Sequence, residues 1–232
     1  DEGMRIIGHQ KTSLIDYPDK ICTVYFAAGC NFRCPYCHNS HIVKGEEKEI
    51  DEKAIFDFLE QRKKFIDAVC ISGGEPTLYE DLPEWIGRIK EKGFLIKLDT
   101  NGTNPKMLQA LLDQNLLDYV AMDVKAPWEK YRQVVGAEAD VDGIRESVGI
   151  LKGEKRIEVE FRTTVCSEYL SLEDILEIAE GLKGSRRYTI QNFHDAETVL
   201  AGAGKLHSYD KAALERIGGK IKDWFEVVKI RG

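Results

Sequence analysis

Six short runs rich in β-branched and aromatic residues alternate with longer stretches of helical periodicity: Ile21 to Ala27, Asp67 to Ile71, Phe94 to Leu98, Asp118 to Met122, Ile157 to Val165 and Tyr188 to Asn192. Repeated βα units are the fold such a chain can adopt. Because right-handed crossovers keep turning one way, the prediction is an α/β protein of mostly parallel strands, a partial (β/α)6 TIM-like barrel with its chemistry at the C-terminal strand ends. Between the runs, Asp51 to Ile66 reads as a helix behind an Asp N-cap, with Ile55, Phe58, Leu59 and Phe65 at helical spacing. Asn104-Pro105 opens another over Leu108, Leu111 and Leu112, and Ser171 a third over Ile175, Ile178, Ala179 and Leu182. Pro127 to Leu151 reads as helical but interrupted by Gly136 and Gly143, and Asp210 to Phe225 as a last helix before a strand-like Glu226 to Ile230.

With 33 Lys and Arg against 40 Asp and Glu in 232 residues, the net charge is −7, which gives no electrostatic reason to expect a nucleic-acid or membrane partner. The hydrophobic share of 43% suffices for a sizeable core, so one domain is expected over 1–232: an extension at 1–20, a core at about 21–195 and a further extension at 196–232. No apolar run approaches the roughly 20 residues that cross a bilayer, and Asp1-Glu2-Gly3-Met4 reads as neither signal nor transit peptide. A cytoplasmic protein is expected.

Three of the six cysteines, Cys30, Cys34 and Cys37, fall within eight positions in the loop after the first run. That clustering points to metal, because a core of this size has no need of disulfides. Three thiolates at C-x3-C-x2-C spacing suit three corners of one 4Fe-4S cluster and leave one iron open for a substrate or cofactor. A structural zinc completed by His41 is the alternative. Cys22, Cys70 and Cys166 read as buried core thiols, although Cys166 follows the end of a strand and is carried as a candidate catalytic residue.

The loop resembles that of the radical S-adenosylmethionine (SAM) superfamily, whose C-x3-C-x-aromatic-C motif is matched by Cys30, Cys34, Tyr36 and Cys37. The resemblance implies a cluster whose open iron chelates SAM, with Tyr36 against the adenine. Reductive cleavage would then give an adenosyl radical that abstracts a hydrogen atom. Ser72-Gly73-Gly74-Glu75-Pro76-Thr77 is similar to the family motif that holds the SAM amino group. Asp99-Thr100-Asn101-Gly102 and Asp123-Val124-Lys125 resemble strand ends of glycyl-radical-enzyme activating proteins. That likeness implies cofactor contacts from Asp99, Thr100, Asn101 and Asp123, a monovalent cation at Asp99 and Asp123, and a catalytic-site Lys125. Arg162 and His194 stand where the same family contacts SAM.

Gly8-His-Gln-Lys-Thr-Ser-Leu-Ile-Asp-Tyr-Pro18 resembles the activating proteins of anaerobic ribonucleoside-triphosphate reductase. This implies an anaerobic oxidoreductase whose partner is a glycyl radical enzyme such as anaerobic ribonucleotide reductase, with a flavodoxin or ferredoxin as electron donor. Only 34 residues separate Cys37 from Ser72, too few for an inserted ferredoxin-like module, so one cluster is expected. Two other functions remain open at this point: radical SAM chemistry on a small molecule or peptide, and a non-catalytic metal or electron-transfer protein.

Overall fold

The computed structural model describes residues 3–232; Asp1 and Glu2, and with them the reading of the first residues as no leader, lie outside the described residues. In chain order the elements are β1 (Ile6–Ser13), β2 (Cys22–Ala27), α1 (Ser40–Lys44), α2 (Glu52–Arg62), β3 (Ala68–Gly73), α3 (Leu82–Lys90), β4 (Leu95–Thr100), α4 (Pro105–Asp113) and β5 (Tyr119–Asp123). There follow α5 (Tyr131–Val135), α6 (Val141–Gly153), β6 (Glu158–Val165), α7 (Leu172–Leu182), β7 (Arg187–Asn192), α8 (Lys211–Ile221) and β8 (Val227–Arg231). The architecture is α/β with mostly parallel strands, as the alternation predicts. Among the described residues no helix is long and apolar enough to cross a membrane.

The chain divides into two compact units. The first comprises residues 3–31, His41–Thr100 and Asn104–Val120. In it β1 runs antiparallel to β2, with Ser13 opposite Cys22, while β2, β3 and β4 are parallel neighbours. Val24, Val69, Ile71, Ile96 and Leu98 of the strands are buried, as are Leu59, Ile86, Ile89, Leu108 and Leu111 of the helices. Each such side chain removed from water contributes about 1.5–3 kcal/mol before conformational entropy is counted. The second unit comprises Phe32–Ser40, Asn101–Thr103 and Ala121–Gly232. There β6, β7 and β8 are parallel neighbours, with Val165 opposite Asn192 and Tyr188 opposite Val228. Its core is built from Phe161, Tyr188, Ile190, Ile144, Ile175, Leu182 and Leu214.

Helix signals that rest on a local hydrogen bond are realised. Asn104 accepts the Met107 N–H at 3.1 Å, and Ser171 and Asp174 form a reciprocal capping box. Four details differ from expectation. The stretch 1–20 contains β1, which is polar and half-exposed, so its sequence lacks strand alternation and its pairing partner is supplied by tertiary structure. Asp51 stands at the N-cap of α2 without a side-chain capping bond, and Phe65, beyond the end of that helix, is 68% exposed. Gly143 does not interrupt a helix: it lies in the first turn of α6, where its N–H donates to the Asp140 cap at 3.1 Å. Gly136 does end α5, at a φ of 61°.

Candidate functional site

In the first unit the end of β3 is pressed onto the backbone that leads out of β2. Gly73 has a φ of 141°, and a Cβ there would stand 2.5 Å from the Ala27 carbonyl oxygen. At Gly74 a Cβ would stand 1.7 Å from the Gly29 carbonyl oxygen. The Glu75 N–H donates to that same Gly29 oxygen at 2.8 Å, and the Tyr79 hydroxyl donates to the Ala28 carbonyl at 2.6 Å. The glycines therefore serve a backbone-to-backbone approach one residue ahead of Cys30. Ser72, half-buried, pairs with Phe26 across the ladder.

Glu75 is 1% exposed, and its carboxylate accepts the Thr77 N–H at 3.2 Å, the Thr77 hydroxyl, and the Thr100 hydroxyl at 2.7 Å. It thereby caps the one-turn 3-10 helix Pro76–Leu78 and ties the β3 end to the β4 end. Asp99 pairs with Lys97, 3.2 Å away, and accepts from the Cys70 thiol at 3.7 Å. Lys97 is itself buried: its ammonium donates to the Asp16 carbonyl at 2.5 Å and lies 5.3 Å from the Tyr119 ring centre. Burial first, then the Asp99 charge, pushes the Cys70 thiol well up; burial also raises Cys22.

In the second unit the cysteine loop is fastened by its backbone. The Cys37 N–H donates to the Cys34 carbonyl at 3.0 Å, Leu200 N–H to the Cys37 carbonyl at 2.9 Å, and Ala201 N–H to the Pro35 carbonyl at 2.9 Å. Cys34 and Tyr36 are buried and Cys37 is half-buried. Burial raises the Cys37 thiol, and burial followed by the neighbouring Cys34 raises the Tyr36 hydroxyl. Lys125 brings its ammonium to 5.9 Å from the Tyr36 ring centre. Asp123 lies between two cations, Lys125 at 3.6 Å and Arg162 at 3.1 Å. Both carboxylates named as cation ligands thus already face protein cations: Asp99 its lysine, and Asp123 a lysine and an arginine.

Other candidates take local roles. Asn101 is buried and accepts from the Thr103 N–H and hydroxyl at 3.1 and 2.7 Å, closing a turn. His194 is exposed, with His38 nearby, whose pKa is shifted down by burial and then by the His194 charge. Cys166 is 1% exposed and its thiol is pushed up to about 11 by desolvation, the setting of an inert core cysteine. The structure thus brings together Gly73, Gly74, Glu75 and Thr100 in one unit, and Cys34, Tyr36, Cys37, Asp123, Lys125 and Arg162 in the other. Lys97 and Tyr79 lie outside the motifs read from the sequence; of the two only Lys97 leaves a trace there, as a lone charge inside the apolar run Leu95 to Leu98.

None of the six cysteines is in a disulfide. No group of three or more His, Cys, Asp or Glu side chains is set to hold a metal ion among the described residues. The donor chemistry of the loop nevertheless fits an iron–sulfur cluster. Cys30, Cys34 and Cys37 supply three soft sulfurs within one short segment, and the Cys37 thiol, raised by burial, becomes a thiolate readily only beside a strong cation such as cluster iron.

The sequence profile of the radical SAM superfamily matches residues 24–182. A Methanocaldococcus jannaschii protein, named provisionally as a glycyl-radical enzyme activating enzyme, is 39% identical over 228 residues, which cover 94% of this chain and 92% of its own. A second protein of that organism with the same provisional name is 32% identical over 174 residues, 73% of this chain and 65% of its own. Streptococcus suis SuiB bound to S-adenosylmethionine aligns with a TM-score of 0.68 at 17% identity, covering 89% of this chain and 48% of its own. A domain of pyruvate-formate lyase-activating enzyme from Bacteroides vulgatus aligns with a TM-score of 0.55 at 15% identity, covering 72% of this chain and 99% of its own. The two solved structures share the fold; the profile match over most of the chain, with the near full-length relative, carries the assignment: the chain belongs to the radical SAM superfamily.

Proposed function

We propose that this protein activates a glycyl radical enzyme by removing a hydrogen atom from a glycine of that partner. The observation that carries this reading is the 39% identity, running almost end to end, to a relative provisionally named for that activity. Cys30, Cys34 and Cys37 are the ligands of one 4Fe-4S cluster, and the loop offers no fourth thiolate, which leaves one iron for SAM. Cluster and SAM supply the one-electron cleavage of a sulfonium and a carbon radical able to take hydrogen from an unactivated C–H bond.

The chain's residues bind and orient. Tyr36, buried and held protonated by its surroundings, offers an aromatic face beside the Cys34 thiol. Lys125 and Arg162 share the single charge of Asp123, so the trio is net positive and suits the carboxylate of an amino acid. Glu75 fixes Thr77 and Thr100, keeping the β3 and β4 ends in register for Ser72, Gly73 and Gly74 to meet SAM. Since Asp99 and Asp123 are matched by Lys97, Lys125 and Arg162, the reading needs no added monovalent cation. The electron donor proposed is a low-potential flavodoxin or ferredoxin, and the partner an anaerobic ribonucleotide reductase or a relative of it.

The test is anaerobic incubation of the reconstituted protein with SAM, a reductant and a reductase-type partner. A glycine-centred doublet in the partner's EPR spectrum is expected. Turnover of SAM to 5′-deoxyadenosine without that doublet, across candidate partners, would reject the activating role while leaving the superfamily chemistry intact.

A further inference from the structure

Beyond Asp123 the chain leaves the sheet, and the backbone groups of Val124 and Lys125 need partners from elsewhere. The Val124 N–H donates to the Arg162 carbonyl at 2.8 Å. The Thr163 hydroxyl donates to the Val124 carbonyl at 2.7 Å and is itself fixed by the Tyr188 hydroxyl, which donates to Thr163 Oγ1 at 2.7 Å. The Lys125 N–H donates to Tyr131 Oη at 2.9 Å. Thr163, Tyr188 and Tyr131 are all fully buried or nearly so.

Tyr131 opens α5, and the far end of that short helix grips the cysteine loop. The Arg33 N–H donates to the Val135 carbonyl at 2.8 Å. Gly136 closes against the same residue so tightly that a Cβ would stand 2.6 Å from the Arg33 carbonyl oxygen. The Phe32 ring packs 6.3 Å from the Tyr131 ring. One turn of helix is thus bonded to the strand end that carries Asp123 and Lys125 and, at its other end, to the segment that leads into Cys34.

We propose that α5, through Tyr131 and Gly136, is a positioning brace that sets the Cys34-to-Cys37 segment and the Asp123-to-Lys125 strand end in one fixed geometry. Its use in cofactor binding rests on the function proposed above. The physical need is clear: a site assembled from a loop and a strand end must be held to about half an ångström by neighbours that are themselves locked by packing and hydrogen bonds. Cys34 to Cys37 and, past the end of β5, Val124 and Lys125 lie in neither helix nor strand, so their rigidity has to come from side chains and caps. Tyr131 and Gly136 are positioning residues in this account, since neither is assigned a contact with the cofactor.

Tyr131→Phe keeps the ring and removes the acceptor of the Lys125 N–H. In reconstituted protein, iron content should match the wild type while SAM binding weakens about fivefold or more, the scale of one lost hydrogen bond. In metal-free protein the NMR signals of the Tyr36 ring, which lies 5.9 Å from the Lys125 ammonium, should shift. Gly136→Ala should lower iron loading by displacing Arg33. Ser185→Ala is the control: it removes a buried hydroxyl that donates to the Leu182 carbonyl just ahead of β7, and it should cost stability without either effect. Wild-type SAM affinity and an unmoved Tyr36 signal in Tyr131→Phe would overturn the brace, as would the same changes in Ser185→Ala. If wild-type protein holds a cluster yet ignores SAM, the proposed function fails, and the Tyr36 signal alone then upholds or rejects the brace.

Discussion

Replacing Gly74 by alanine forces a carbon to within 1.7 Å of the Gly29 carbonyl oxygen, 2.5 Å of the Gly29 carbonyl carbon and 3.1 Å of the Ala27 oxygen. To reach even the tightest tolerated separation of 3.0 Å, the Gly29 oxygen must retreat by about 1.3 Å. Overpacking against backbone costs roughly 1–3 kcal/mol, and loss of the Glu75 N–H bond to the same oxygen adds about 1 kcal/mol. A total near 2–4 kcal/mol is below the usual stability of a domain, so the variant should fold, with a melting temperature roughly 5–15 °C lower. The displaced residue is the immediate neighbour of Cys30, so the damage should reach the cluster before it reaches any ligand of the cluster. The assay pairs thermal unfolding of metal-free protein with anaerobic reconstitution, reading iron per chain and absorbance near 410 nm. Iron loading should drop along with stability. Full iron, wild-type melting and a defect confined to SAM affinity would refute the packing role and return Gly74 to the wall of a ligand cradle.

Other outcomes follow from the same residues. Cys30→Ala, Cys34→Ala or Cys37→Ala should each abolish SAM cleavage, whereas Cys22→Ala, at a fully buried position in β2, should leave iron content unchanged; cleavage surviving in any of the first three would remove that residue from the ligand set. Cys166, 1% exposed and with its thiol near 11, should resist iodoacetamide at pH 8 in folded metal-free protein while the half-buried Cys30 is alkylated, and equal labelling by mass spectrometry would contradict this. His9 is stacked 4.2 Å from Tyr25 and is held down to about 4 by burial first and the Lys11 charge second. Because its folded value lies below the ordinary 6.5, the unfolded chain binds the proton more readily between these limits, and stability should fall as pH is lowered through that window. Urea unfolding at pH 7 and pH 5 should show a smaller loss for His9→Gln than for wild type, and equal losses would remove His9 from the acid response.

The fold was legible where the signal is local. The Asn104 and Ser171 caps, the buried faces of α4 and α7, and the strand cores all stand where pattern and capping chemistry predict them. β1 was not legible as a strand, because an exposed edge strand carrying Gly8, Gln10, Lys11 and Thr12 needs no alternation of polar and apolar residues. Phe65 misled for a related reason: periodicity continues past Arg62, but the helix ends there and the ring is left outside. At the site, the spacing of the cysteines was readable because all three fall within eight positions of one loop. The partners of the carboxylates were not. Nothing in the order of residues says that Lys97 reaches both Asp16 and Asp99, or that Tyr131 receives a bond from Lys125; those pairings are made by tertiary packing. The glycines after β3 were singled out for closeness to a ligand, and the structure shows that their first obligation is to the backbone of β2 and its exit loop.

The central claim is that the Cys30, Cys34 and Cys37 loop carries a cluster with one iron open to SAM. Its most direct measurement is EPR of the anaerobically reconstituted, reduced protein with and without SAM, together with metal analysis. About four irons per chain and a reduced-cluster signal whose g-values move when SAM is added are predicted. Stoichiometric zinc in place of iron, or a cluster signal unchanged by saturating SAM, would contradict the account.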